Sequence, residues 1–413
     1  MQKILIKNIG TIVSGDINNG IIHNADSIAV YDGLIQKIGY STDFNESEFQ
    51  YIVDANGQTA VPGFIDTHVH NGMEDYSACT GMLALYEDAL RNGTTTMISE
   101  GEQGPGYPRF YDDTEGVKAE CIFANHVYSH FKPGGGLKLH AGPLILTSEL
   151  CEADFEELAR KGIWGVAEIG AGGIDDLDKI AEMLKWARKY NYFVSVSLAP
   201  PSIPGSSWIH AEDVVKMNPD KVSHINGGST SSSWEEIQYV IDNTTAAIEL
   251  VPAGNVAKFN RVLQYMKETD QLDRIVFGSD SPTGASCLVG AINKCIVRAA
   301  ALNDIPAEQV IAMATGNAAK FYNLSVGFIE EGKTADIVII DAPVGCEGGD
   351  ALGCIQMGDL FGSSLVIADG KIVATRGRDT RTTQRSCLIN GTDTSPSTVY
   401  ECIYSPPTYN HLL

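Results

Sequence analysis

The chain has 413 residues, more than one domain usually contains, and its length favours one large domain with a smaller one beside it. Hydrophobic residues make up 44% and charged residues 20%, a composition that supports a full core and excludes a disordered chain. With 29 Lys and Arg against 52 Asp and Glu, the formal charge is −23. This excess of acid argues against a nucleic acid or an anionic membrane as partner, since both require a basic face.

The sequence contains no apolar run close to the roughly 20 residues of a membrane-spanning helix. Lys7 interrupts the apolar N-terminus, where a signal peptide would need an unbroken stretch. Nine cysteines are scattered along the chain without a CxxC pair, which favours reduced thiols over a disulfide framework. We therefore expect a cytoplasmic protein.

The first 60 residues contain short β patterns separated by tight turns such as Asn56-Gly57. The same pattern returns late in the chain, at residues 334–341 and 364–374. Two separated segments of one kind predict a small β-sandwich built from both ends of the chain. The early strands are predicted at residues 3–7, 10–14, 27–31, 34–39 and 51–54.

Between these segments, apolar β-branched strands alternate with stretches of helical periodicity. Eight such β/α units are the number expected of a TIM barrel. The predicted fold class is therefore α/β, with a TIM (β/α)8 barrel at residues 62–322, a β-sandwich from residues 1–61 and 323–385, and a polar C-terminal tail at residues 386–413. One barrel strand is predicted to end at His70, and the others lie at 94–98, 137–140, 165–168, 193–197, 221–224, 247–249 and 275–280; the helices include 155–161, 180–190, 233–242 and 255–267.

The strongest chemical signal is the segment PGFIDTHVH at residues 62–70. Alternate side chains of a strand share one face, so His68 and His70 point the same way at the end of the first barrel strand. Two imidazoles on one face can ligate a divalent ion. A pair of structural histidines is the weaker interpretation at this position.

Three further polar residues follow barrel strands at their C-terminal ends, where barrel active sites are built. Glu168 is a carboxylate after an apolar strand, and its burial requires a cation nearby, either a metal or a basic side chain. His224 precedes glycines that open space, which favours a ligand over a hydrogen-bonded core histidine. Asp280 is predicted to be catalytic, with a helix N-cap as the alternative.

Two other residues have open roles. His140 ends the third barrel strand, where contact with substrate, action as an electrophile and core packing are all consistent with the pattern. Arg109 follows the second strand and could pair with a substrate carboxylate, although a solvated side chain is the better interpretation.

The chain resembles the amidohydrolase superfamily over nearly its whole length, and within it is similar to the enamidase group, which hydrolyses cyclic amides. The superfamily segments are PGFIDTHVH (62–70), GTTT (93–96), Glu168, His224, GSDSP (278–282), ATGNAAK (314–320) and GFIEEGKTADIVIID (327–341). The enamidase-like segments are IKNIGTIVSGDI (6–17), TTTMIS (94–99), SIPGSS (202–207), VSHINGG (222–228) and MATGN (313–317).

The resemblance implies a centre for one or two divalent metal ions, zinc or alternatively iron or manganese. His68 and His70 would hold one metal together with Asp280. Glu168 would bridge to a second metal that His224 also binds; a carboxylated lysine is the more usual bridge. No separate organic cofactor is implied.

One position departs from the family pattern. The resemblance implies a histidine at the end of the fifth barrel strand, where this sequence has Ser197. A serine hydroxyl is a poor ligand beside imidazole, so the second metal should bind weakly or be absent. His210 could replace the missing ligand, but a place at the start of the following helix suits it better.

These features predict a metal-dependent amidohydrolase that opens a cyclic, enamide-like amide, with a small molecule as its partner. Asp280 would carry the proton, and His224, the second metal or His140 would stabilise the oxyanion. One alternative is a mononuclear metalloenzyme of the same fold that performs cyclodehydration, elimination or deamination. The other is a binding protein that kept the scaffold without catalysis. By resemblance we also expect a homo-oligomer.

Overall fold

The computed structural model describes residues 2–72, 75, 81–102, 113–170, 173–198, 200–201, 207–228, 230–282, 288–376 and 380–394. The chain begins with seven short strands that have no α-helix between them. Their bounds are β1 (Lys3–Lys7), β2 (Thr11–Val13), β3 (Ile21–Ile22), β4 (Ser27–Tyr31), β5 (Leu34–Gly39), β6 (Tyr51–Asp54) and β7 (Thr59–Pro62).

Eight parallel strands with intervening helices come next. The strands are β8 (Phe64–Val69), β9 (Thr94–Ser99), β10 (Lys138–His140), β11 (Gly165–Ile169), β12 (Phe193–Ser197), β13 (Lys221–Ser223), β14 (Ala247–Leu250) and β15 (Ile275–Phe277). The helices are α1 (Met82–Arg91), α2 (Thr114–His130), α3 (Glu152–Arg160), α4 (Leu177–Lys189), α5 (Ala211–Met217), α6 (Trp234–Asn243), α7 (Val256–Glu268), α8 (Ala291–Asn303), α9 (Ala307–Met313) and α10 (Gly316–Phe321).

The eight strands form one parallel barrel. Strands β8 to β10 pair in one run and β11 to β15 in another. Backbone hydrogen bonds join the two runs at both ends: Leu144 N donates to Gly165 O at 2.8 Å, and Asp280 N donates to His68 O at 2.9 Å. The predicted TIM barrel is therefore confirmed, and the carboxyl ends of its strands meet at one mouth.

The last part of the chain returns to β structure. It contains β16 (Ile337–Asp341), α11 (Ala351–Met357), β17 (Gly362–Ala368), β18 (Lys371–Thr375), β19 (Leu388–Ile389) and β20 (Thr392–Asp393). One six-stranded sheet has the order β20-β19-β6-β1-β4-β5, and the other has the order β18-β17-β16-β7-β2-β3. Each sheet combines strands from both chain ends, as predicted.

Apolar side chains from the two sheets share one buried core. Ile4 and Ile6 on β1 belong to it together with Ile337 and Ile339 on β16. Alternate residues of a strand share a face. The apolar side chains lie two residues apart on each strand, so those of one sheet face those of the other. The boundaries at residues 61/62 and 322/323 stay predictions. Part of the expected tail is ordered as β19 and β20, and residues 395–413 lie outside the described part of the chain.

Several helices begin directly after a polar residue that caps their first turn. Asp176, Ser233 and Asn255 precede α4, α6 and α7, and each side chain accepts a hydrogen bond from the first turn of its helix. Such caps satisfy backbone N–H groups that have no partner within the helix. Among the helices that the structure describes, none combines the length and apolarity needed to cross a membrane.

Candidate metal centre

Five sequence-predicted residues meet at the mouth of the barrel, and all five are buried. Possible ligand atoms of His68, His70 and Asp280 lie within 4.8 Å of one another, and those of His68, Glu168 and His224 form a second group of the same size. The barrel thus brings together side chains from β8 and the residue after it, from β11 and from the segments after β13 and β15. The residues are His68, His70, Glu168, His224 and Asp280.

His68 lies on β8 and His70 directly follows that strand, and their Nε2 atoms face each other. Nδ1 of His68 lies 2.6 Å from Oε2 of Glu249, and Nδ1 of His70 lies 3.1 Å from the carbonyl oxygen of Gly101. A carbonyl and an ionised carboxylate only accept hydrogen bonds, so both Nδ1 atoms carry a proton. The two Nε2 atoms lie 3.0 Å apart, and in neutral rings both would carry lone pairs. Two imidazole nitrogens this close together, with carboxylates around them, fit a shared metal ion.

Carboxylates complete the surroundings of these nitrogens. Oδ1 of Asp280 lies 3.6 Å from Nε2 of His68 and 3.5 Å from Nε2 of His70. Burial alone would raise the pKa of Asp280, but the contact with His70 and the charge of the nearby imidazoles hold that pKa well below its usual range. The carboxylate is therefore ionised, as a ligand or a proton acceptor must be.

Glu168 lies between two imidazoles. Its Oε1 is 2.7 Å from Nε2 of His224, and its Oε2 is 3.8 Å from Nε2 of His68. Although burial alone would raise the pKa of Glu168, the charge of the His224 imidazole keeps it well below its usual range. One oxygen toward each ring is the arrangement that a bridging carboxylate needs.

His224 and Asp280 were predicted to end their strands, but both lie just beyond them, because β13 ends at Ser223 and β15 at Phe277. Their φ angles are +26° and +53°, in the left-handed region that non-glycine residues rarely adopt. Strain of this kind is common at functional sites. Asp280 caps no described helix, since α8 begins after Gly290.

His224 has one ring nitrogen at the centre and one that lacks a partner. Among the described residues, its buried Nδ1 has no hydrogen-bond partner. Burial would lower the pKa of His224, but the charge of Glu168 raises it to about 10. A buried polar atom without a partner costs free energy, which makes this nitrogen a candidate for contact with a bound molecule.

The remaining sequence-predicted residues have distinct positions. His140 ends β10 half-buried and belongs to neither group of possible ligands; burial and the charge of Lys138 lower its pKa to about 4. Ser197 ends β12 and is buried. His210 is exposed, directly precedes α5, and contacts Glu236 at 3.2 Å, so it supplies no ligand in place of Ser197. Arg109 lies outside the described residues.

Three charged residues of the barrel interior were not identified from the sequence. Lys221, Glu249 and Glu100 are buried beneath the histidines, with Lys221 Nζ 2.6 Å from Glu249 and 2.7 Å from Glu100. Sequence patterns treated their strands as apolar. A charged residue inside a strand that is buried on both faces could have revealed them, as in AIEL at 247–250, because a buried charge must have a partner.

A model of the amidohydrolase family matches residues 59–373 of this chain. The chain belongs to the amidohydrolase family. Enamidase from Eubacterium barkeri is 40% identical over 389 residues, which cover 94% of this chain and 100% of that protein. A crystal structure of enamidase, described there as a new member of the amidohydrolase superfamily, matches with a TM-score of 0.89 at 40% identity, covering 94% of this chain and 100% of that one.

A more distant amidohydrolase relative is dihydroorotase from Clostridioides difficile, which is 24% identical over 400 residues covering 82% of this chain and 90% of that protein. The family and the fold predicted from sequence are both confirmed. Family membership makes this chain an enzyme, a hydrolase that acts on C–N bonds.

Proposed function

We propose that this amidohydrolase hydrolyses the ring C–N bond of a cyclic amide of the enamide type. The support is the likeness to enamidase, which extends over the whole of that protein at 40% identity. The observation that carries the proposal is that the Nε2 atoms of His68 and His70 lie 3.0 Å apart, with Asp280 beside them. Amide hydrolysis needs the kind of cation that this pair calls for.

The proposed ligands of one tightly bound divalent ion are His68, His70 and Asp280, with Glu168 beside them. Such an ion acidifies water and polarises a carbonyl group. His224 and Glu168 would hold a second ion. Ser197 adds only a neutral hydroxyl at the neighbouring strand end, so we propose that this second ion is bound more weakly.

The protein's own groups then move the proton. Asp280, ionised and at the barrel mouth, would accept a proton from the attacking water and return it to the leaving nitrogen. His224 would stabilise the oxyanion through its partnerless Nδ1, because that atom can donate a hydrogen bond. His140 stays neutral above about pH 4, and as a neutral ring it would donate to the same oxygen or orient the substrate.

A substrate panel tests this function. Purified enzyme is incubated separately with a six-membered cyclic enamide, the matching saturated lactam, dihydroorotate and adenine, and ring-opened product and ammonia are measured. We expect ring opening of the enamide, with the saturated lactam turned over more slowly or not at all. Deamination of adenine without ring opening of any amide would contradict the proposal and favour the deaminase alternative.

Three further features are part of the proposal. We propose zinc as the metal, a homo-oligomeric state and a cytoplasmic location, in line with the sequence expectations. Elemental analysis identifies the metal, and light scattering coupled to size-exclusion chromatography gives the mass of the particle in solution. A monomer mass of 44.4 kDa would contradict the oligomer.

A further inference from the structure

We propose that Glu249 and Lys221 are positioning residues, which set the ring tautomer of His68 and support the backbone turn at His224. This inference rests on the metal centre proposed above and concerns how its ligands are held ready. Neither residue is among the possible ligand groups of the centre.

Every hydrogen-bonding position of the Glu249 carboxylate is filled. Its Oε1 accepts from Lys221 Nζ and from Thr67 Oγ1, both at 2.6 Å. Its Oε2 accepts from His68 Nδ1 at 2.6 Å and from the backbone N–H of His224 at 3.0 Å. A carboxylate offers about four lone-pair positions, so four donors fix its orientation. Glu249 is fully buried, and water does not compete for these bonds.

Lys221 is saturated in the same way. Its ammonium group has three N–H donors, and three oxygens surround it: Glu249 Oε1 at 2.6 Å, Glu100 Oε1 at 2.7 Å and the carbonyl of Thr67 at 2.8 Å. Removing one partner of such a buried set leaves an uncompensated charge. Lys221 therefore fixes the position of the Glu249 carboxylate, whose Oε2 faces His68 as a hydrogen-bond acceptor.

Two ligands on different strands depend on this one carboxylate. The bond to His68 places its proton on Nδ1 and leaves the Nε2 lone pair facing the centre. The bond to His224 holds the backbone N–H of a residue whose φ is +26°. A left-handed turn at a histidine is strained and needs support from its surroundings. Groups that orient ligands in this way typically change metal affinity by about 10–100-fold when they are removed.

Glu249→Gln separates positioning from simple filling of space, since the two side chains have nearly the same shape. The new NH2 group must face either the Lys221 ammonium or Nδ1 of His68. Facing the ammonium would place donors against a cation, so the amide turns its NH2 toward His68. The ring must then accept at Nδ1 and carry its proton on Nε2, which blocks the metal.

The test measures zinc affinity at neutral pH by competition with a chromophoric chelator, together with urea unfolding of each metal-free protein. We expect Glu249→Gln to bind zinc about 10–100-fold more weakly than wild type. The matched control is Asp341→Asn, a fully buried carboxylate that pairs with Arg385 in the sandwich. The control should lose stability and keep its zinc affinity within about threefold.

A double variant tests the role of Lys221. In Lys221→Met/Glu249→Gln the cation no longer dictates which way the amide turns, so we expect tighter zinc binding than in Glu249→Gln alone. Thr67→Val removes one of the four donors and serves as a milder variant if Glu249→Gln does not fold, with an expected loss of about threefold.

Wild-type affinity in Glu249→Gln, or in Thr67→Val where only that variant folds, would overturn the inference. A double variant that binds zinc no more tightly than Glu249→Gln would overturn the part assigned to Lys221. Failure of the wild-type protein itself to bind zinc would instead overturn the metal centre, and this inference with it.

Discussion

Oδ1 of Asp280 lies 3.5 Å from Nε2 of His70, although the two residues belong to opposite ends of the barrel sequence. Closure of the barrel explains this contact, because the backbone N–H of Asp280 donates to the carbonyl of His68. The first and last units thereby deliver a carboxylate and two imidazoles to one place. Four predictions for the site and the rest of the fold can be tested on the purified protein.

Asp280→Asn should lower turnover of the cyclic amide at least about 10³-fold, because the amide neither accepts the proton nor supplies a charged ligand. Asparagine suits the substitution since it tolerates a φ of +53° better than other residues. Initial rates measure the effect, and an unchanged circular dichroism spectrum shows that the fold is intact. Turnover equal to that of wild type would remove Asp280 as the proton carrier.

Metal removal should destabilise the protein. An ion that binds only the folded state adds about 2.7 kcal/mol when its concentration is 100 times Kd. We therefore expect chelation to lower the midpoint of thermal unfolding and added zinc to restore it. His70→Ala is the control, and its midpoint should respond much less to zinc. Equal responses in the two proteins would argue that the ion binds elsewhere.

Acidification should reveal the burial of His140. Its pKa is lowered to about 4 in the fold, whereas an unfolded histidine has about 6.5. Between about pH 6.5 and pH 4 the unfolded chain binds a proton at His140 that the folded protein does not. The free energy of unfolding therefore falls as the pH drops through this range, and above about pH 6.5 His140 has no effect on it. Because the side chain is only half-buried, we expect a loss of about 1–2 kcal/mol between pH 7 and pH 5.

The contribution of His140 is isolated by difference. Urea unfolding of wild type and His140→Gln is measured at both pH values, so that the titration of other groups cancels. The wild-type protein should lose about 1–2 kcal/mol more than the variant. Identical pH dependence in the two proteins would mean that His140 titrates as an exposed histidine does.

The C-terminal segment should be held to the sandwich by Arg385. Its Nε and Nη2 donate to the two oxygens of the fully buried Asp341, at 3.0 and 2.5 Å. Arg385→Ala leaves that carboxylate without its charge partner, and we expect a loss of about 2–3 kcal/mol in the free energy of unfolding. Lys189→Ala, which breaks an exposed ion pair with Glu152, should cost much less, because water screens that pair. Equal losses in the two variants would contradict this account.

Much of the fold could be predicted from local sequence patterns. Apolar strands that alternate with helical stretches give the eight units directly, and β12 was predicted with its observed bounds at residues 193–197. The alternation of His68 and His70 gives the core of the site, because side chains two apart on a strand share a face. Local periodicity carries this information without knowledge of distant contacts.

The charged interior could not be predicted in the same way. Glu249 and Lys221 lie within short apolar strands, and only the closed barrel places Glu249 between Lys221 and His68. The exact ends of β13 and β15 were also missed, because the turns at His224 and Asp280 are stabilised by long-range hydrogen bonds to Glu249 and His68. Such contacts depend on register around the whole barrel.

The central claim is that the barrel mouth holds a metal ion. Elemental analysis of protein purified without chelator counts metal equivalents per chain in one measurement. The account predicts at least one equivalent, retained through gel filtration and lost in a variant that replaces both His68 and His70 with alanine. A wild-type protein that carries less than one equivalent, and takes up none when divalent ions are added, would contradict it.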